Sequence, residues 1–313
     1  MNRIIRVKQV DDAPEMQLTW LINNICTNSC SYCPPTLHSG TNHHYEWKNA
    51  KRFFEILFEK YSSVHCSVAG GEPSVSPFFT DLIKIFYNSG HSIGITSNAA
   101  RSVRFWEENS KYLNYVCFSY HPESPDPHFI EKINVAKMQT LVTVRVMMLP
   151  SKWDHCVEMF EKLSELNHIC VESVRIFDWD GTNKTAHVYT EDQLLWFTHN
   201  ERNQSLNKTP GVDKKAVRIL CDYHLEDGTV LETPNAVDYI NSGMTNFYGY
   251  TCEVGLRSLF VDWRGRIFLG NCGVGGIIGN INYPSTIQWP TTSVVCNKTL
   301  CHCATDVNIN KWV

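Results

Sequence analysis

The chain has 313 residues, 43% of them hydrophobic and 19% charged, which fits a soluble globular protein of one large domain or two smaller ones. A formal net charge of −4 leaves no global basic field for nucleic acid, and no apolar run approaches the roughly 18 residues of a membrane span. Residues 1–10 lack the apolar core of a signal peptide, so the expected location is cytoplasmic, with the thirteen cysteines as thiols or metal ligands rather than disulfides.

Residues 1–16 read as an edge strand and a loop, and 17–25 as the first core strand. Cys26-Thr27-Asn28-Ser29-Cys30-Ser31-Tyr32-Cys33 follows, and Pro34, Pro35, Ser39, Gly40 and Asn42 continue as loop. Residues 47–61 form a helix, because Ala50, Phe53, Phe54, Leu57, Phe58 and Tyr61 recur on one helical face. Strands and helices then alternate. Strand 64–68 runs into Ala69-Gly70-Gly71-Glu72-Pro73, and helix 77–88 follows with Ser76 as N-cap and Gly90 as stop. Strand 92–96, helix 103–111, strand 115–120, helix 128–137 and strand 140–149 come next. A helix then starts at the Ser-x-x-Asp pattern of Ser151 and runs to 166, before strand 171–177. Six strands separated by helices imply a parallel sheet with right-handed crossovers, either an open barrel or a doubly wound sheet.

Beyond Asp178 the rhythm breaks. Residues 180–183 read as a turn, 191–202 as a helix, 203–216 as a polar linker and 219–231 as a hairpin around Asp227-Gly228. Arg202, Lys208, Lys214, Lys215 and Arg218 read as a solvated basic face. A second hairpin, 256–269, turns at Asp262-Trp263-Arg264-Gly265, with Cys252 and Cys272 beyond its outer ends, where closing strands bring them together. Cys296, Cys301 and Cys303 lie in a turn leading to a short helix. Cys66, Cys117, Cys156, Cys170 and Cys221 are isolated in apolar stretches and read as core residues.

Three thiolates on one loop suit a soft metal or an iron–sulfur cluster, and three are one short of a closed site. A zinc knuckle is the competing reading, with His38, His43 and His44 the nearest fourth ligands. The spacing of Cys26, Cys30 and Cys33, with the aromatic Tyr32 before the third, resembles the radical S-adenosylmethionine (radical SAM) superfamily. So does Gly70-Gly71-Glu72-Pro73 at the end of the next strand. The resemblance implies an α/β fold, a partial (β/α)6 TIM-like barrel. It implies a core domain over 1–180, a bridging region over 181–250 and a small C-terminal β-hairpin and helix domain over 251–313. That last part resembles the twitch or SPASM extensions, which hold an auxiliary [4Fe-4S] cluster. Its match is partial, since Gly265 lies seven residues before Cys272 rather than five. Four of its five cysteines complete a cubane. Cys252, Cys272, Cys301 and Cys303 are the favoured set, Cys296 is the substitute for any one of them, and a zinc ribbon is the alternative content.

The resemblance also implies the chemistry. Cys26, Cys30 and Cys33 ligate a [4Fe-4S] cluster whose fourth iron binds SAM, and reductive cleavage gives a 5′-deoxyadenosyl radical that removes a substrate hydrogen. Gly70, Gly71 and Glu72 lie where the family contacts the SAM amino group. Ser97, Asn98, Ser119 and His121 end strands at positions suited to ribose and carboxylate contacts, and Arg145 is a candidate partner of the SAM carboxylate. The expected reaction is an oxidative modification of a small molecule or peptide, with an electron donor such as flavodoxin or ferredoxin. The reading from a different class is a non-enzymatic iron–sulfur electron carrier or zinc-binding protein.

Overall fold

The structure is a computed structural model that describes residues 2–10, 13–41, 43–179, 184–200, 202–203, 209–214 and 220–313. After β1 (Ile4–Gln9), the chain lays down β2 (Met16–Leu21), β3 (Val64–Ala69), β4 (Ser92–Ser97), β5 (Tyr115–Tyr120), β6 (Leu141–Met148) and β7 (Cys170–Arg175). The intervening helices are α1 (Trp47–Lys60), α2 (Phe79–Asn88), α3 (Val103–Asn109), α4 (Phe129–Lys137) and α5 (Trp153–Ser164). Strands β2 to β7 are parallel and lie side by side in chain order. Within β2 to β7 the order never reverses, so these six strands lack the switch point of a doubly wound fold.

The two faces of this sheet differ in chemistry. Successive strand residues point to opposite sides, and Leu18, Trp20, Cys66, Val68, Ile93, Ile95, Val116, Phe118, Val144 and Val146 are all buried on one of them. The helices cover that side with Phe53, Phe54 and Leu57 of α1, Leu82 and Phe86 of α2, Trp106 of α3, Ile133 of α4 and Phe160 of α5. Gln17, Thr19, His65, Ser67, Tyr115, Arg145 and Glu172 alternate with the apolar set. Parallel sheets covered by helices on both faces are apolar on both. The second face here is polar, and so is fitted to something other than packing a helix layer.

His65 shows what that polarity costs. It is buried near the start of β3, with Nδ1 2.8 Å from Ser92 Oγ and Nε2 3.2 Å from Ser67 Oγ, which lies 2.9 Å from Tyr115 Oη. Burial pushes its pKa down from 6.5 to about 4. Between those values the unfolded chain binds a proton that the folded chain does not, so stability falls as pH falls through the window. The loss is about 3 kcal/mol at its lower end. Anaerobic urea unfolding at pH 7 and pH 4.5 is expected to show this slope, reduced in His65→Gln; equal slopes in the two proteins would reject it.

Past β7 come β8 (Phe177–Trp179) and β9 (Lys184–Ala186), a two-stranded sheet, then α6 (Glu191–Asn200) and β10 (Arg202–Asn203), which pairs with β7. A second sheet follows from β11 (Cys221–Leu225), β12 (Val230–Leu231), β13 (Thr251–Cys252), β17 (Val294–Val295) and β18 (Lys311–Trp312), with α7 (Ala236–Asn241) and α8 (Ala304–Val307) beside it. Its order is β12-β11-β1-β18-β13-β17, so the first strand of the chain is bonded to the last. The expected C-terminal hairpin is β14 (Ser258–Val261) and β15 (Arg266–Phe268), followed by β16 (Ile277–Asn280). Strand β14 adds to β2 in parallel, Phe260 opposite Thr19, and with β15 and β16 on this edge and β10 on the other the described sheet has ten strands.

Some local expectations shift. Helix α2 begins at Phe79, and the Ser76 hydroxyl has no partner. Helix α5 begins at Trp153, because a 3-10 turn over Pro150–Lys152 takes up the Ser-x-x-Asp pattern, and its start has no side-chain cap. Strand β7 stops at Arg175, since Phe177 starts the separate β8 pair. The turn expected at 180–183 lies outside the described residues, as do Lys208, Lys215 and Arg218; Lys214 Nζ donates to the Lys111 carbonyl. Cys66, Cys117, Cys156, Cys170 and Cys221 are buried core residues. Among the described residues no helix is long and apolar enough to cross a membrane.

Candidate active site

The cysteine loop is a closed excursion from the C-terminal edge of β2. Its two ends meet where Ile25 bridges Ser39 and Gly40 N donates to the Asn24 carbonyl at 2.9 Å. Asn23 turns the chain out of the strand by accepting from Ile25 N through Oδ1 at 3.0 Å, and its Nδ2 donates to the Glu72 carbonyl at 3.1 Å. From β3 the next two amides answer: Gly71 N donates to Asn23 O at 2.9 Å and Glu72 N to Ile25 O at 2.7 Å. The approach is tight. A Cβ on Gly70 would stand 2.4 Å from Asn23 O, and one on Gly71 2.3 Å from Ile25 O and 2.7 Å from Leu37 O. Glycine is needed here to let the cysteine loop close on β3, a demand of the chain itself.

Glu72 is fully buried. Its Oε1 accepts from Ser74 N (3.0 Å), Ser74 Oγ (2.5 Å) and Ser97 Oγ (2.8 Å), and its Oε2 from Asn98 N (2.7 Å). Burial pushes its pKa up, and these four bonds oppose the shift. The carboxylate is thus spent on fixing the end of β4. That fixes Asn98, whose Nδ2 donates to Thr27 Oγ1 at 3.1 Å and lies 3.5 Å from Cys26 Sγ, while its Oδ1 is buried without a partner.

On the other side, Cys30 Sγ lies 3.5 Å and Tyr32 Oη 2.8 Å from His121 Nδ1, and the Tyr32 and His121 rings stack at 6.0 Å. Burial pushes the His121 pKa down to about 4, which keeps the ring neutral beside the thiols. Glu123 ties the loop down by accepting from Ser31 N and Ser31 Oγ, both at 2.7 Å. Nothing in the local sequence marked Glu123, because its partner is 92 residues away. Burial, then the repulsion of Cys26 and Cys30, pushes Cys33 up to about 11. Three thiolates here call for a cation or cluster to carry their charge. Of the rival histidines, His38 Nε2 is 3.2 Å from the Cys33 carbonyl, His43 lies against Phe78 and His44 against Trp263.

Cys26, Cys30, Cys33, Gly70, Gly71, Glu72, Ser97, Asn98 and His121 therefore gather at the C-terminal edge of the parallel strands. Ser119 stands one alternation below His121, level with Arg145 across the β5–β6 pair. Arg145 faces the polar side but brings its own counter-ion: Nε donates to Glu172 Oε2 at 2.9 Å, directly opposite on β7. The expected contact with a SAM carboxylate thus meets a partner already in place.

The second cysteine group converges from four separate segments. Cys252 ends β13, Cys272 follows β15, Cys296 follows β17, and Cys301 precedes α8. Cys252, Cys272, Cys296 and Cys301 line one pocket with Val254, Val274, Phe247, Asp306 and Lys311. Cys303 is not among these lining residues. Its residue N-caps α8 and lies two along from Cys301. Asp306 Oδ2 accepts from Cys272 N at 2.6 Å, and its Oδ1 is buried without a partner. Burial, then Asp306, pushes Cys272 up to about 12; burial also raises Cys252 and Cys301, with Lys311 opposing the rise in both. Among the described residues no three His, Cys, Asp or Glu side chains are gathered tightly enough to hold a single metal ion. A cubane is held at its corners, so its cysteines stand wider apart than the donors of one ion.

Residues 20–176 match the family model described as the radical SAM superfamily. No match was found among curated proteins. Among solved structures, anSMEcpe with bound AdoMet and Cp18Cys peptide is similar over 86% of this chain and 78% of its own, at 14% identity and a TM-score of 0.50. Streptococcus suis SuiB bound to precursor peptide SuiA aligns over 84% of this chain and 61% of its own, at 15% identity and a TM-score of 0.49.

Proposed function

The chain belongs to the radical SAM superfamily, and from that premise we propose an enzyme that reductively cleaves SAM and oxidatively modifies a peptide or small molecule, using one cluster per cysteine group. The observation that carries this is the meeting of the cysteine loop with Gly70-Gly71-Glu72 and Asn98 at one edge of the sheet. Cys26, Cys30 and Cys33 would hold a [4Fe-4S] cluster, which when bound and reduced supplies the electron for cleavage of the SAM sulfonium. The buried, unpartnered Asn98 Oδ1 offers an acceptor beside Cys26. Glu72 holds Asn98 in place through its backbone, and neutral His121 with Tyr32 walls the far side. The polar face of the sheet lies below and offers hydrogen-bonding groups to a substrate. An electron carrier would need neither this motif nor that face.

The finer fold reading belongs with this proposal: strands in unbroken order curled as an open (β/α)6 barrel, with 1–180 as core, 181–250 as bridge and 251–313 as a twitch-like domain. Strand β1 qualifies the boundary, being bonded to β11 and β18. In the C-terminal pocket Cys252, Cys272, Cys296 and Cys301 are the proposed ligands of an auxiliary [4Fe-4S] cluster. Four cysteines leave no iron open for substrate, which favours a redox role such as accepting the second electron of an oxidation. A peptide substrate is favoured by the ligands named with anSMEcpe, and a flavodoxin or ferredoxin is a suitable donor.

The test is anaerobic reconstitution with iron, sulfide, SAM and dithionite. About eight irons per chain and formation of 5′-deoxyadenosine are expected. Four irons and a tightly bound zinc would remove the auxiliary cluster alone, while full iron loading without SAM cleavage would sink the proposed activity.

A further inference from the structure

Lys311 is the most buried lysine or arginine among the described residues. It is the third residue from the end, its side chain is 1% exposed, and Nζ donates to three backbone carbonyls: Asp306 at 2.8 Å, Val307 at 2.6 Å and Ile309 at 2.7 Å. Three carbonyl oxygens match the three N–H bonds of an ammonium. It also lies 4.8 Å from the Phe247 ring centroid, a cation–π contact. Among the described residues no carboxylate is its hydrogen-bond partner: from Asp306 it takes the backbone oxygen, not the side chain. Burying an ammonium whose hydrogen-bond partners are all neutral is expensive, and the lining it shares carries the groups that can be anionic: four cysteines and Asp306.

The register ties Lys311 to the cysteine side of that lining. Lys311 is directly opposite Cys252 in the β13–β18 pair, and both line the four-cysteine pocket. Cross-strand neighbours of this kind have Cβ atoms about 5 Å apart. We infer that Lys311 is a positioning charge that sets the reduction potential of the cluster held by Cys252, Cys272, Cys296 and Cys301. The inference rests on the auxiliary-cluster reading above. A cubane with four thiolates is anionic, and reduction adds one more negative charge. A fixed cation at low dielectric favours the reduced form, so it raises the potential. Asp306 acts in the opposite sense from the same lining, and Lys298, the other cation there, is exposed and screened. Lys311 is the cation whose field solvent does not weaken, and its three carbonyls hold it at one distance from the pocket. Its service is to make the auxiliary cluster an easier acceptor for an electron leaving an oxidised substrate.

The experiment is an anaerobic dithionite titration followed by electron paramagnetic resonance, on the full chain with Cys26, Cys30 and Cys33 replaced by alanine, so that only the auxiliary cluster is read. With Lys311 intact this protein should hold four irons and one reducible cluster; their absence overturns the cluster reading and this inference with it. Lys311→Gln keeps hydrogen-bond donors and removes the charge. It is expected to make reduction at least tenfold less favourable, a downward shift of 59 mV for one electron. Lys311→Arg keeps the charge and should hold the potential. An unchanged potential in a cluster-loaded Lys311→Gln overturns the inference alone. If Lys311→Gln assembles no cluster while Lys311→Arg assembles one at the original potential, the charge is upheld as the requirement. Loss of the cluster in both variants marks Lys311 as a strut for the three carbonyls and overturns the electrostatic role.

Discussion

Replacing Cys26, Cys30 and Cys33 together by alanine abolishes 5′-deoxyadenosine formation and removes about four irons per chain, leaving the other four in place. The expectation follows from the separation of the two cysteine groups, one in the loop after β2 and one converging from β13, β15, β17 and the segment before α8. The triple variant should fold. Cys26 and Cys33 are only half-buried, and the loop is fastened by backbone bonds at Ile25, Asn24 and Cys33 and by Glu123 on Ser31, none of which needs a thiol. Circular dichroism and iron content check the fold and the second site, and chromatography of the SAM reaction checks the first. Residual cleavage above a no-enzyme control would contradict the assignment of these three residues.

Gly71→Ala is expected to cost about 3 kcal/mol, and to lower iron occupancy of the first cluster more than that of the second. The added methyl would meet the carbonyl oxygens of Ile25 at 2.3 Å and Leu37 at 2.7 Å. Both belong to backbone on either side of the cysteine loop, so neither can yield by turning a side chain. Relief requires moving the loop off β3, which breaks the Gly71 N and Glu72 N bonds that fasten it. Urea unfolding measures the stability, and iron analysis in the Gly71→Ala and parent chains measures the occupancy. A variant of unchanged stability and full iron content would show that the close approach at Gly71 is not what seats the loop.

The functional core was readable because its determinants are local. Three cysteines within eight residues share a loop whatever the rest of the fold does, and Gly70-Gly71-Glu72 follows a strand whose apolar alternation is plain. The six-strand rhythm and the packed face of α1 follow from the same short-range periodicities. The residues that needed the tertiary structure are those whose partners are distant in sequence. Glu72, expected beside the SAM amino group, has its side chain bonded to Ser97 and Asn98, 25 and 26 residues on, which no local pattern announces. Arg145, a candidate for the SAM carboxylate, has Glu172 set opposite it by the β6–β7 register, a partner 27 residues away.

The same division holds at the C-terminus. Five cysteines between 252 and 303 announce a thiol-rich site but do not select its members, because their spacing repeats no local period. Selection comes from pairing: β13 between β17 and β18 brings Cys252 beside Lys311 and next to the strand that leads to Cys296, while Asp306 fastens the Cys272 amide. Strand β1, read as an edge of the core, is likewise claimed by β11 and β18 through hydrogen bonds that any extended segment could make. Composition and periodicity determine which segments become strands and which side of each is apolar. Which strands pair, and therefore which side chains meet, is settled only when the whole chain buries those sides together.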